Sequence, residues 1–68
     1  MNEEALNMSV RKFLKKVGVT SQREIETAVR AAVEGGRIDA SAPLKATVTL
    51  RVGGIDLSVD IDGDIELS

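Results

Sequence analysis

The densest run of potential ligands in this chain is Asp60-Ile61-Asp62-Gly63-Asp64-Ile65-Glu66. Alternating carboxylates around a glycine suit a hard cation, because calcium takes several oxygens and a tight turn gathers them. The spacing departs from an EF-hand, which needs glycine after the third acidic position and glutamate at the twelfth. The acids also alternate with isoleucines that a sheet would turn inward. The plainer reading is a solvated strand face whose charges discourage edge pairing. Neither a metal nor a cofactor is expected.

The second cluster is basic: Arg11, Lys12, Lys15 and Lys16. At about 100° per residue, Met8, Arg11, Lys12 and Lys15 share one side of a helix, opposite Leu6, Val10, Phe13, Leu14 and Val17. A flexible thioether among cations suits an adaptable contact surface. Met8, Arg11, Lys12 and Lys15 are therefore the candidate partner-binding residues, set against the plainer reading of an ordinary wet helix face.

Catalysis has little to work with. The chain has no Cys, His, Tyr or Trp. Its serines, among them Ser9, Ser21, Ser41 and Ser58, lack a base in any recognisable order. Gly35-Gly36 and Gly53-Gly54 read as a helix end and a hairpin, not as a phosphate-binding loop. The sequence thus predicts no enzyme, no catalytic or cofactor-binding residue and no small-molecule substrate.

The elements that position these groups follow from periodicity. Residues 3–17 carry an apolar stripe, with Glu3 and Glu4 at the start and Lys15 and Lys16 near the end, as the helix dipole favours. Gly18 fits a left-handed C-terminal position. Ser21-Gln22-Arg23-Glu24 matches a capping box that would open a second helix over residues 21–35. Ile25, Ala28, Val29, Ala32 and Val33 form its stripe, and Gly35-Gly36 would stop it. Residues 37–43 read as a connector. From there the period is two, giving strands at 44–53, 55–61 and 64–67. Gly53-Gly54 would form a two-residue loop pairing Val52 with Ile55 and Leu50 with Leu57. A three-residue loop at Asp62-Gly63-Asp64 would return the last strand with Ile65 opposite Ile61.

The expected fold is thus a single α+β domain over residues 1–68. It has two layers, with a helical hairpin packed on a three-stranded antiparallel meander in the order ααβββ. Phe13, Leu14, Ile25, Val29, Val48, Leu50, Leu57 and Val59 are the expected shared core. A winged helix-turn-helix is disfavoured, because Glu24, Glu26 and Glu34 lie on the second helix and the hairpin would be an acidic wing. Phe13, the only aromatic, sits on the core stripe and offers no stacking platform for single-stranded nucleic acid.

Composition sets the outer bounds. With 68 residues the chain is one small domain, buries a low share of its surface and needs help to be stable. Disulfides are excluded, so association is the aid left open. The net charge is −2, divided as seven Lys/Arg against five Asp/Glu in residues 1–37 and two against six in residues 38–68. No apolar run approaches a membrane span, and the acidic start lacks the basic region of a signal peptide, so a cytoplasmic location is expected.

Met1-Asn2-Glu3, Asn7-Met8-Ser9, Arg11-Lys12-Phe13-Leu14-Lys15, Val17-Gly18 and Ser21-Gln22-Arg23-Glu24-Ile25-Glu26 resemble a family of short bacterial proteins, a domain of unknown function. The likeness covers nearly the whole chain, with its distinctive words in residues 1–26. It implies a free-standing bacterial protein and brings no reaction, cofactor or partner. The expected function is a small noncatalytic protein-interaction module, open to homodimerisation. The alternative is a nucleic-acid-associated regulator using the basic face of the first helix. Association with a protein or with itself is expected, and binding to nucleic acid or membrane is not.

Overall fold

The computed structural model describes all 68 residues and divides them into two compact units, Met1–Arg37 and Ile38–Ser68. The first unit is one continuous helix, α1, spanning Glu3–Glu34. The second is an antiparallel hairpin of two strands, β1 at Leu44–Val52 and β2 at Leu57–Ile65. The expected ααβββ arrangement is therefore replaced by α1-β1-β2, which is still α+β.

The first correction concerns the helix. Residues 17–21 do not turn, and Ser21 does not open a second helix. Breaking the helix there would leave as many as four carbonyls and four N–H groups without helical partners at the new ends. Keeping Gly18 inside costs about 1 kcal/mol relative to alanine. The continuous helix is the cheaper solution unless tertiary contacts favour the bend. The N-cap is Asn2, whose Oδ1 accepts the Ala5 N–H at 3.0 Å. Glu3 and Glu4 fill the first turn as the dipole favours, but Lys15 and Lys16 now lie mid-helix, and the last turn holds no basic residue.

The stop at Gly35-Gly36 agrees with the sequence. The Gly36 N–H donates to the Val33 carbonyl at 3.1 Å, and the Arg37 N–H donates to the Ala32 carbonyl at 2.9 Å. These bonds form a Schellman motif, with Gly36 in the left-handed region at φ 69°.

The second correction concerns the hairpin. Val52 pairs with Leu57, Leu50 with Val59, Val48 with Ile61 and Leu44 with Ile65. The connection is the four-residue turn at positions 53–56, not the Gly53-Gly54 pair alone. Gly54 takes φ 88° and Asp56 takes φ 53°, a region that aspartate tolerates better than most residues. Relative to the expected register, the pairing moves by two residues. Parity is kept, so the apolar side chains still share one face. Ile55 leaves that face, and Ile65 stays on it, opposite Leu44 rather than Ile61.

The third correction removes the last strand. Asp62-Gly63 does not turn; Gly63 lies mid-strand opposite Ala46. Turning there would forfeit the Thr47–Asp62, Lys45–Asp64 and Leu44–Ile65 pairs in exchange for a short terminal strand.

None of the eight residues expected to form a shared core is buried; Phe13 and Leu14 are each 50% exposed. A lone helix has one side of its stripe open, and two strands have no second layer, so neither unit has an interior of its own.

Gly18 gives a direct test of the continuous helix. A Cβ added there meets nothing within 4 Å, and its φ is not in the left-handed region. Gly18→Ala should therefore raise helical circular dichroism and stabilise the helix by about 1 kcal/mol. A loss of stability would instead mark residue 18 as the left-handed end of a shorter helix.

Candidate functional site

Helix α1 presents two different faces. On one, Met8, Arg11, Lys12 and Lys15 line a single open patch with Ala5 and Ser9. The helical register thus brings together the four candidate binding residues. Met8 is 63% exposed among them. Lys16 is not part of this patch.

The other face is the apolar seam. Its steps of three and four residues do not stop at Val17 but pass through Ser21 to Ile25, Ala28 and Ala32. Val17, Ser21, Ile25, Val29 and Ala32 are half-buried, whereas Leu6, Val10, Phe13 and Leu14 are exposed. Sequence reasoning divided this seam in two. The signal for its continuity was the four-residue spacing Val17-Ser21-Ile25, which the apparent capping box at Ser21 obscured.

On the outer side of α1, Glu26 accepts from Gln22 Nε2 at 2.9 Å and from the Arg30 guanidinium at 3.2 Å. These bonds hold the Glu26 carboxyl below its ordinary pKa, with the Gln22 hydrogen bond as the larger cause and Arg30 next. All three side chains are solvated, so the group orders a helix surface more than it stabilises the chain.

The hairpin also has two faces. Its polar face is a ladder that the sequence did not reveal. Thr49 Oγ1 donates to Asp60 at 2.8 Å, Thr47 Oγ1 to Asp62 at 2.9 Å and Lys45 Nζ to Asp64 at 2.8 Å. Asp60, Asp62 and Asp64 of the suspected cation loop thus each have a cross-strand donor, whereas Glu66 lies past the end of β2. The three are spread along one strand, at about 7 Å per two residues. They do not gather into a group of three metal-binding side chains. The opposite face shows Val48, Val52, Leu57, Val59 and Ile61 to solvent, with Ile61 56% exposed.

Ahead of β1, within the second unit, the Asp39 carboxylate accepts the Ser41 N–H at 2.9 Å, and the Ala42 N–H donates to the Asp39 carbonyl at 3.3 Å. The Ser41 backbone bond, followed by its side-chain hydroxyl, holds Asp39 below its ordinary pKa. This is local turn chemistry. No helix is long and apolar enough to cross a membrane.

A family model described as a family of unknown function, DUF6494, matches residues 1–68. The chain belongs to DUF6494. The likeness read from the sequence over nearly the whole chain is thus a match over all of it. No curated protein and no solved structure matches it. For this DUF6494 chain, the functional argument rests on its own geometry.

Glu26 gives a pH-dependent prediction. Its pKa is lowered in the helix, so the Gln22–Glu26–Arg30 group is intact above the ordinary glutamate range and is lost as pH falls through the lowered value. Carboxyl-carbon NMR titration should show Gln22→Ala moving the Glu26 midpoint upward. A midpoint unmoved by Gln22→Ala would contradict the assigned cause.

Proposed function

We propose that this DUF6494 chain is a small, noncatalytic protein-interaction module, open to self-association, which acts in the bacterial cytoplasm and completes its fold against another protein surface. One observation carries the reading: no side chain of the helix seam or of the hairpin's apolar face is buried. An apolar face left open on each unit marks an interaction site. The physics of each unit gives the same reason. Most helical stability in proteins comes from packing the apolar face, and an isolated two-stranded hairpin is marginal at best in water.

The patch of Met8, Arg11, Lys12 and Lys15 would serve the same role differently. Its cations would steer an acidic protein surface into contact, affecting encounter rate more than affinity. Met8 would add one small apolar anchor. Duplex nucleic acid is the weaker partner for this face. The hairpin carries Asp56, Asp60, Asp62, Asp64 and Glu66 against Lys45 and Arg51, a balance that repels phosphate.

Sedimentation equilibrium across protein concentration tests the proposal. The wild type should exceed the 7.2 kDa of one chain. In stopped-flow mixing, a Lys12→Glu/Lys15→Glu variant of unchanged circular dichroism should associate more slowly, and the difference should shrink with added salt. A species of 7.2 kDa at every concentration, with slowly exchanging helix amides and no partner added, would overturn the reading.

A further inference from the structure

The hairpin is a sheet of two strands, so β1 and β2 each leave one edge of backbone N–H and C=O groups without a strand to pair with. The two edges differ in charge. On the polar face β1 carries Lys45, Thr47, Thr49 and Arg51, whereas β2 carries Ser58, Asp60, Asp62 and Asp64. A second β2 laid antiparallel on the β2 edge, centred on Ile61, Asp62 or Gly63, would set carboxylate opposite carboxylate. Like charges directly opposite destabilise a pair of strands. The middle of β1, Thr47-Val48-Thr49, carries no charge.

We infer that the free edge of β1 takes the β1 of a second copy, antiparallel about a two-fold axis at Thr49, giving a four-stranded sheet in the order β2-β1-β1-β2. The inference rests on the reading of the chain as an interaction module and names a partner for its hairpin. About that axis Thr49 meets Thr49, Thr47 meets Arg51, Val48 meets Leu50 and Ala46 meets Val52. Each residue meets a partner that meets it in return, as an isologous contact requires. Parity is kept, so the apolar faces of the two hairpins join into one. The threonine pair at the axis is itself a favourable cross-strand pair.

Charge complementarity names the second copy. The ion pairs of the chain are Arg30–Glu26 and Lys45–Asp64, so Arg51 has no carboxylate partner and stands opposite Ser58. Asp62 has no cation; it accepts from the Thr47 hydroxyl at 2.9 Å. In the four-stranded sheet Arg51 lies beside the second copy's Thr47, and the second copy's Asp62 lies just beyond. Two strand spacings are about 10 Å, a span that an arginine and an aspartate side chain close from its two ends. The second copy thus brings Arg51 the carboxylate that its own hairpin lacks, and symmetry repeats the gain. Centring the pair on Val48 instead would set Lys45 opposite Arg51, which is why the axis falls at Thr49.

The same charges close the assembly. Its two outer strands are both β2, so the edges left open are the ones that Asp60, Asp62 and Asp64 guard, and growth stops at two copies. Joining β1 of one copy to β2 of the next also matches charge. That contact is heterologous, leaves one edge of each kind at every step and grows without closing. A two-stranded hairpin is marginal in water, whereas three or more strands with an apolar face are stable. Pairing at β1 meets that requirement with no element beyond those of this chain.

Wild type enriched in carbon-13 and nitrogen-15 is mixed with an equal amount of unenriched wild type, and isotope-filtered NOE spectra then read contacts between copies alone. The inference expects Thr49–Thr49 and Val48–Leu50 contacts between copies, with the mass of two chains. Contacts joining β1 of one copy to β2 of another, with a mass that keeps growing, would overturn it. Thr47→Lys/Thr49→Lys gives a second reading. Each new cation has a carboxylate within its own hairpin, Asp62 or Asp60, as Lys45 has Asp64, but like charges meet at the axis. The variant should keep its β1–β2 contacts and lose those between copies; a variant that keeps both overturns the inference. Contacts between copies that come from α1 alone overturn it and leave the interaction-module reading standing. The mass of one chain at every concentration overturns it as well. In that case rapid amide exchange along α1 leaves the chain still requiring another partner, whereas slow exchange overturns the interaction-module reading too.

Discussion

The rest of the structure depends on uncovered apolar surface. A single helix and a two-stranded sheet each segregate apolar from polar side chains, yet neither encloses anything. Folding offsets chain entropy chiefly by removing apolar surface from water. Here the covalent chain supplies the segregated faces without burying a single large hydrophobic side chain. What orders each unit is local: the Asn2 cap, the Schellman close at Gly36 and the Thr–Asp rungs of the hairpin. Local bonds of this exposed kind contribute about 1 kcal/mol or less each. They specify shape better than they hold it.

The division of labour between faces follows from that limit. In α1 the apolar seam and the Met8–Lys15 patch lie on opposite sides, so one side can bury area while the other meets charge. In the hairpin, every acidic group from Asp60 to Asp64 is turned to the polar side and engaged by a cross-strand donor. That arrangement leaves the apolar face free of charge. It also accounts for the acidic string without a metal, since the carboxylates serve register and solubility along an edge strand.

Much of this was legible in the sequence. The start of the helix at Glu3, its stop before Gly35, the connector and the start of β1 at Leu44 all follow from caps and period. The parity of the hairpin was legible too, because a one-residue slip would turn every apolar side chain outward. Its register was not, since a shift of two keeps parity and would still set Thr47 opposite Asp60 and Lys45 opposite Asp62. Gly18 and Ser21 misled for a related reason. Each suits a helix end, but each is also tolerated inside a helix at modest cost, and the four-residue spacing across them outweighs the capping pattern. The grouping of Met8, Arg11, Lys12 and Lys15 survives the correction, because all four lie within one uninterrupted stretch of helix either way.

The central claim is that folding and association are one process in this chain. Thermal unfolding followed by circular dichroism over a hundredfold range of protein concentration tests it most directly. If covering the apolar faces requires another copy, the midpoint must rise with concentration, as mass action demands of a folded state that exists only in complex. A sharp transition at the same temperature throughout that range would contradict the account.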